Sequence, residues 1–234
     1  PPHSEKGESY RGHTKGVIGF DATSGFWIQH SMPNFPTAPA EEAYDYPDMA
    51  TKYGQTLICL SMTAKALPDV FDQLRFMQIS SYAHNIPEAF GSKNANLSSI
   101  IVDRESINTR KEDPSRISAL KTAGGFPFVS FAKHRNYKKD LWLDLISPFA
   151  KVPLSVETWL NGAAKDLEST CGKDATVLDM SSIDINGNTF KSSMDHSKWG
   201  LSNDAKKPLI CIGDVNRQES QTTRGGGALC LENR

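Results

Sequence analysis

The most constraining feature of this chain is a short segment that occurs twice, once near each end. Gly12-His13-Thr14-Lys15-Gly16 lies near the beginning, and Asp195-His196-Ser197-Lys198-Trp199 lies near the end. Each places a hydroxyl residue between a histidine and a lysine, and strand-like sequence surrounds both. Side chains at positions i and i+2 of a strand point to the same face of a sheet. The repeat therefore predicts two strands, each presenting an imidazole beside an ammonium group.

The rest of the chain alternates short apolar runs with turn-forming residues. The predicted strands cover residues 13–20, 26–30, 55–62, 98–102, 126–132, 154–160, 175–179, 189–200, 208–213 and 228–231. The predicted helices cover residues 67–76 and 140–147, with residues 84–96 as loop and Pro148 as a helix stop. Strands mixed with helices indicate an α/β sandwich. No run of eighteen apolar residues occurs, so we expect no membrane-spanning segment.

The charge balance bears on binding to polyanions. The net charge is −1 with all six histidines neutral, which is not typical of a protein that binds nucleic acid tightly at neutral pH. Histidines with an ordinary pKa of about 6.5 are mostly protonated at about pH 5. Six added charges would bring −1 to +5. We therefore expect attraction to polyanions to increase in acid.

The paired His-x-Lys segments suit a phosphate group. Lysine supplies fixed positive charge for the non-bridging oxygens. One histidine can attack phosphorus while the other protonates the leaving oxygen, so the chemistry needs no metal ion. A single His-x-Lys often arises by chance, and a strand-borne pair is usually just solvated. The spacing alone leaves a catalytic site and a solvated surface both open.

Several further segments accompany the two pairs. After GHTKG come Phe26, Trp27, His30, Ser31 and Pro33, then YGQTLIC at residues 53–59 and SFAK at residues 130–133; after DHSKW come CIGDVNR at residues 211–217 and RGGGALC at residues 224–230. In this order the segments resemble the deoxyribonuclease II family of acid DNases. The resemblance implies an α/β, phospholipase-D-like sandwich with mixed β-sheets flanked by helices and two pseudo-symmetric halves. Residues 1–124 would be the remainder of the first half, and residues 125–234 the second.

The resemblance also implies a function. It indicates a metal-independent acid endonuclease, without cofactor, that hydrolyses DNA to 3′-phosphate ends and is secreted or lysosomal. The implied catalytic residues are His13, Lys15, His196 and Lys198. The implied substrate-binding residues are His30, Asp214, Asn216 and Arg224. The superfold favours His13 as the nucleophile, and the sequence supplies no independent reason.

One element of the superfamily pattern is missing. An acidic residue that orients the histidine is expected five positions after each lysine. Those positions hold Phe20 and Asn203, with Asp21 and Asp204 one residue further on. The orienting group is therefore left open.

The four cysteines contain no C-x-x-C spacing. Cys211 and Cys230 flank the second active-site segment, and we expect them to form a disulfide. The family usually has a segment before the first His-x-Lys and a tail after the last cysteine block, so we expect a chain shortened at both ends. Cys59 and Cys171 would then be free, although an even count could also make two bridges. The cysteines and the glycosylation acceptor at Asn96 favour a secretory route.

Two other functions remain open. One is a secreted DNA-binding homologue that has lost turnover, and the other is a phosphodiesterase of the same superfold acting on another substrate, such as a lipid head group. A basic cluster is consistent with contact to a DNA backbone or with an ordinary solvated surface. The cluster consists of Lys133, His134, Arg135, Lys138 and Lys139.

Overall fold

A computed structural model describes residues 10–33, 46 and 48–232, with the side chains of residues 89, 93, 95 and 96 excepted. The fold is α/β with mixed sheets and few helices. The described strands are β1 (Gly16–Phe20), β2 (Ser24–His30), β3 (Leu57–Thr63), β4 (Ser115–Lys121), β5 (Pro127–Lys133), β6 (Leu154–Glu157), β7 (Thr170–Cys171), β8 (Thr176–Asp179), β9 (Ser182–Ile185), β10 (Asn188–Lys191), β11 (Trp199–Ser202), β12 (Leu209–Gly213) and β13 (Gly226–Glu232). The helices are α1 (Leu67–Met77), α2 (Glu88–Lys93), α3 (Ala95–Ile101), α4 (Ser147–Ala150) and α5 (Glu219–Thr222). In this part of the chain, no helix is long and apolar enough to cross a bilayer.

The largest sheet has eight strands in the order β4-β5-β13-β12-β11-β6-β8-β7. Its pairs are antiparallel except β6 with β8, which makes the sheet mixed. The indole of Trp142 packs directly on β11 and β12, because a Cβ at Gly200 or Gly213 would lie 2.8 Å from its ring. Helix α1 packs on β4, β5 and β13, and its apolar side forms a core with Phe128 and Leu229.

The strands that follow the two His-x-Lys segments are arranged alike. β1, β2 and β3 form an antiparallel three-stranded sheet, and β11, β12 and β13 are consecutive antiparallel neighbours within the large sheet. We call these the first and second strand sets. β1 begins at the residue after Lys15, and β11 begins at the residue after Lys198. In each set, the His-x-Lys motif therefore lies immediately before the first strand.

Several predicted elements differ from the structure. Residues 98–102, predicted as a strand, belong to helix α3, in which Leu97 and Ile100 share a buried face at helical spacing. A short apolar run does not distinguish a strand from a helix. The loop predicted at 84–96 contains α2, and Pro148 lies in the first turn of α4 rather than ending a helix. Residues 140–147 contain a π-helical turn, Trp142–Ile146.

The predicted strand at 189–200 was also wrong, since it is divided among β10, a 3-10 turn and β11. Strand β4 was not predicted, and the exposure of its residues does not alternate cleanly. The proposed division between residues 124 and 125 falls in the turn between β4 and β5, which pair along seven residues. That division stays a prediction. The side chain of Asn96 lies outside the described residues, so the glycosylation acceptor also stays a prediction.

The disulfide predicted between Cys211 and Cys230 is present. The two residues lie directly opposite each other on β12 and β13, with Cα atoms 4.0 Å apart. Both are fully buried beneath Trp142 and its neighbours. Cys59 on β3 and Cys171 on β7 are exposed free thiols, as predicted. The disulfide therefore links β12 covalently to β13 within the second strand set.

Candidate active site

The two His-x-Lys segments are hydrogen-bonded to opposite strand sets. The backbone N–H of His13 donates to the carbonyl of Gly225, at 2.9 Å, just before β13. The backbone N–H of His196 donates to the carbonyl of Gly54, also at 2.9 Å, shortly before β3. A Cβ at Gly225 would lie 2.2 Å from the Met77 carbonyl oxygen, so only glycine fits this approach. Each motif is thus held by the third strand region of the other set.

Each segment also continues the ladder of its own strand set. The Lys15 carbonyl accepts from the N–H of His30 at 3.1 Å, and the Lys198 carbonyl accepts from the N–H of Gly213 at 2.7 Å. The predicted strand at 13–20 therefore begins at Gly16, but the motif before it keeps one strand-like contact. These paired contacts fix both ends of each His-x-Lys segment.

The imidazole of His196 is fixed by a backbone carbonyl. Its Nδ1 lies 2.7 Å from the carbonyl oxygen of Ser31. Because a carbonyl can only accept, Nδ1 carries the proton and Nε2 keeps a lone pair in the neutral ring. The ammonium of Lys198 donates to the carbonyl of His196. The orienting group that the sequence left open is therefore, for His196, the Ser31 carbonyl.

Ser31 is itself held firmly. Its N–H donates to the Thr56 carbonyl at 3.0 Å, and its hydroxyl donates to Gln55 Oε1 at 2.7 Å. The same hydroxyl accepts from the N–H of Thr56 at 2.9 Å, and Ser31 is fully buried. Sequence reasoning gave Ser31 no role, because a backbone carbonyl leaves no signal in residue identity.

The alternative orienting carboxylates lie elsewhere. Asp21 Oδ1 accepts from the N–H groups of Thr23 and Ser24, closing the exposed turn between β1 and β2. Asp204 Oδ1 accepts from the N–H of Lys206 in another turn. Within the described residues, the Nδ1 of His13 is buried and has no hydrogen-bond partner.

Charged groups from both segments surround His13. Burial lowers its pKa well below the usual value, and Lys15, Arg224 and Lys198 lower it further. The Arg224 guanidinium donates to the carbonyls of Arg11, at 3.1 Å, and Gly12, at 3.3 Å. Arg224 therefore lies beside His13 through contacts just before the first motif.

The lysines share one buried carboxyl group. Burial lowers the pKa of Lys15 to about 8, and the nearby Asp214 opposes this shift. Burial likewise lowers the pKa of Lys198 well below its usual value. Asp214 Oδ1 accepts from the N–H of Gly227 at 2.8 Å, and burial raises the pKa of this carboxyl group. Asp214 thus links both lysines to the start of β13.

The histidines are harder to protonate than the sequence predicts. Burial, followed by Lys15, lowers the pKa of His30 to about 4. Burial, followed by Lys198, lowers that of His196 to about 4, and burial also lowers that of His134 to about 4. The raised pKa values of Glu157 and Asp214 act in the opposite direction on the net charge, so the expected charge of +5 at pH 5 stays a prediction. With the pKa of His13 lowered as well, the expected protonation of these four histidines at pH 5 was wrong for the free protein. The cause is burial beside cations.

The predicted substrate-binding residues are placed unevenly. His30 lies near Lys15, and Arg224 lies near His13 and Asp214. Asn216 is buried, and its Oδ1 has no partner among the described residues. No described contact joins Asn216 to either motif histidine.

The basic cluster at residues 133–139 is not one surface. Lys133 is completely buried, and its ammonium donates to the carbonyls of Gln221, Thr222 and Arg224 at 2.9, 3.1 and 2.7 Å. It therefore closes the turn that carries Arg224. His134 is also buried, whereas Lys138 and Lys139 are exposed.

Trp159 and Glu157 lie beside the second motif, and neither was predicted from the sequence as part of the site. The ring of Trp159 lies 5.0 Å from the ring of His196, and Tyr53 packs edge-on against Trp159 at 4.8 Å. Glu157 pairs with Trp199 across β6 and β11 and is buried, with both carboxyl oxygens lacking a partner among the described residues. Burial and the nearby Asp195 raise the pKa of Glu157 to about 8.

The arrangement suits an anion. Lys15, Lys198 and Arg224 supply three cationic groups around two imidazoles; the carboxyl group of Asp214 lies among them, and those of Asp195 and Glu157 lie near Lys198. Cations that converge on one point favour a phosphoryl group, which carries charge on its non-bridging oxygens. In the described part of the chain, no three His, Cys, Asp or Glu side chains are grouped so as to hold a metal ion.

Comparison with known proteins identifies the family. The model of the family described as Deoxyribonuclease II matches residues 1–234. The chain belongs to the deoxyribonuclease II family. Within this family it is similar to cell-death-related nuclease 7 of Caenorhabditis elegans, with 42% identity over 97% of this chain and 61% of the relative. It is also similar to plancitoxin-1 of Acanthaster planci, with 36% identity over 100% of this chain and 64% of the relative.

A mammalian member of the deoxyribonuclease II family gives a similar match. Deoxyribonuclease-2-alpha of Rattus norvegicus is 34% identical over 99% of this chain and 66% of the relative. The chain thus spans about three fifths of the length of the curated relatives that it matches first. The match to the family model includes both His-x-Lys segments of this chain.

Proposed function

We propose that this protein is a metal-independent acid endonuclease that hydrolyses DNA to 3′-phosphate ends. The observation that carries the proposal is the convergence of His13 and Lys15 with His196 and Lys198, each pair held by the opposite strand set. The same reciprocal arrangement supports a phospholipase-D-like fold with two pseudo-symmetric halves. The family relationship supports DNA as substrate.

In this mechanism, Lys15, Lys198 and Arg224 bind the non-bridging oxygens of the scissile phosphate. One motif histidine attacks phosphorus and forms a phosphohistidine with the 3′ side of the cut strand. The other histidine donates its proton to the departing 5′ oxygen. It then takes a proton from water, whose oxygen attacks phosphorus and releases the histidine and a 3′-phosphate end.

The free site explains a preference for acid. Burial and neighbouring cations hold the pKa of His196 at about 4, so a protonated general acid is scarce near neutrality. A bound phosphodiester adds negative charge beside both imidazoles and raises their pKa values. Because burial raises the pKa of Asp214, acid also neutralises this carboxyl group, which acts on both lysines, and this favours binding of the anion.

The nucleophile is one of the two motif histidines. The Ser31 contact supports His196, since it leaves a lone pair on Nε2, whereas the family resemblance favours His13. Acid hydrolyses phosphohistidine, so the reaction cannot be stopped with acid. The trapped phosphoprotein should instead be denatured and digested at alkaline pH. The phosphorylated peptide identifies the nucleophile.

A plasmid-nicking assay at about pH 5 with excess chelator separates the competing functions. An acid endonuclease nicks the plasmid, and its products accept a 5′ label only at their 5′ hydroxyl ends. A DNA-binding homologue without turnover retards the plasmid but leaves it intact. A phosphodiesterase for another substrate, such as a lipid head group, does neither. A strict requirement for magnesium or calcium would overturn the metal-independent mechanism.

Secretion or a lysosomal location is part of the same proposal. The buried disulfide between Cys211 and Cys230 supports an oxidising route, because such bridges persist outside the reducing cytosol. An acidic compartment would also match the depressed pKa values of the histidines. Sedimentation of the native protein with lysosomal markers, or its recovery from medium, tests the location.

A further inference from the structure

An aromatic pair lies directly beside the second motif histidine. The rings of Trp159 and His196 are tilted by 60° with centroids 5.0 Å apart. On Trp159, the ring of Tyr53 packs edge-on at 80° and 4.8 Å. Tyr53 comes just before Gly54, whose carbonyl binds the backbone of His196. The pair is therefore fixed relative to the reacting imidazole by two segments, one before β3 and one after β6.

Trp159 differs from the tryptophans of the core. Trp27 and Trp142 are almost fully buried, at 3% and 0% exposure. Trp159 is only partly buried, and its indole N–H has no acceptor among the described residues, whereas that of Trp142 donates to the Val215 carbonyl. Buried indole N–H groups usually find a partner. A partly exposed indole with a free donor suits an occupant from outside the protein.

We propose that Trp159, braced by Tyr53, is a stacking platform for the nucleobase next to the scissile phosphate. This proposal rests on the proposed function, because a phosphate bound at His196 brings its adjacent nucleoside against the residues around that ring. Stacking on an aromatic ring accepts any base, since every base has a π face. The platform would recognise an unpaired nucleotide without selecting its sequence. The lysines and Arg224 would bind the phosphate itself.

The proposal makes a prediction that simple packing does not. If Trp159 only supports the ring of His196, its loss lowers turnover of every phosphodiester equally. If it stacks on a base, its loss affects substrates that carry bases far more than those that lack them. A single-stranded oligothymidylate and a matched oligomer of abasic deoxyribose phosphates distinguish these two effects, because they share the same backbone charge.

The test compares kcat/KM on both oligomers at about pH 5 for the wild type, Trp159→Leu and Trp159→Phe. We expect the ratio of kcat/KM on the oligothymidylate to that on the abasic oligomer to fall about tenfold or more in Trp159→Leu, in line with the strength of single base stacking. Phenylalanine should restore most of the ratio. Phe126→Leu, which removes an exposed aromatic ring from the β4–β5 turn, is the control and should keep the wild-type ratio. An unchanged ratio in Trp159→Leu would overturn the platform.

A binding measurement keeps the platform testable without turnover. Oligothymidylate added to His13→Ala protein should quench tryptophan fluorescence, and the quench should disappear in the His13→Ala, Trp159→Phe double variant. An equal quench in both proteins contradicts the platform. If the wild type cleaves neither oligomer while the quench depends on Trp159, the proposed nuclease function fails and the base platform stands.

Discussion

The Nδ1 atom of His196 lies 2.7 Å from the carbonyl oxygen of Ser31, and this contact joins the two strand sets through one imidazole. Ser31 directly follows β2, whereas His196 precedes β11. The carbonyl fixes both the orientation and the tautomer of the ring. A change in how the strand sets pack would therefore move this imidazole directly.

The pH dependence of turnover should separate the free from the bound site. Burial and Lys198 hold the pKa of His196 at about 4 in the free protein, and the pKa of His13 is also lowered. The protonated imidazole is lost as pH rises through these values, so kcat/KM should fall on the alkaline side well below pH 6.5. The bound phosphodiester raises both pKa values, so the alkaline limb of kcat should lie at higher pH. Steady-state kinetics across pH 3–8 measure both limbs; superimposed limbs would contradict this account.

Lys133 should stabilise the turn that carries Arg224. Replacing it by methionine leaves three carbonyl oxygens without their shared donor. We expect the free energy of unfolding to fall by about 3 kcal/mol, since buried polar groups without partners are costly. Denaturant unfolding of Lys133→Met measures this. Lys139→Met, at an exposed position of the same segment, is the matched control and should be nearly neutral.

The single disulfide should account for much of the stability of the second strand set. Replacing Cys211 and Cys230 together by alanine should cost about 3 kcal/mol in the chain-entropy model. Thermal unfolding gives the change, and Cys59→Ser, at an exposed free thiol, should have little effect. Peptide mapping of the non-reduced protein should find only this bridge. A peptide linking Cys59 to Cys171 would contradict it.

Glu157 should make the fold less stable as pH rises. Burial raises the pKa of its carboxyl group to about 8, above the ordinary value of 4.5. Between these values the folded state binds more protons than the unfolded state, so the free energy of unfolding falls with rising pH. Glu157→Gln keeps the shape and removes the titration. Its stability relative to the wild type should therefore increase from pH 5 to pH 8; a constant difference would show that Glu157 is ionised throughout.

The sequence was informative where its signal was local. The apolar runs that became β2, β3, β12 and β13 were each predicted near their final bounds. Helix α3 was missed because five apolar and small residues fit either a strand or one helical face. β4 was missed because its pairing with β5, rather than its own residues, gives it strand structure.

The site was predictable in its residue types but not in its supports. The repeated His-x-Lys marked four side chains that the fold brings together. The supports of the site depend on contacts between residues far apart in sequence. They are the Ser31 carbonyl, the ring of Trp159 and the hydrogen bonds from Lys133 to the turn that carries Arg224. The depressed pKa values of the histidines depend on burial in the same way. Local spacing carries none of this information.

The central claim is that both motifs form one catalytic site. The most direct measurement is plasmid nicking at about pH 5 with excess chelator by His13→Ala and His196→Ala, compared with the wild type and with His84→Ala. His84 is an exposed histidine outside the site. Each motif variant should stay folded by circular dichroism and lose about 10²- to 10⁴-fold in rate, as expected for loss of a reacting acid–base group. His84→Ala should nick like the wild type. Nicking near the wild-type rate by either motif variant would contradict a shared two-motif site.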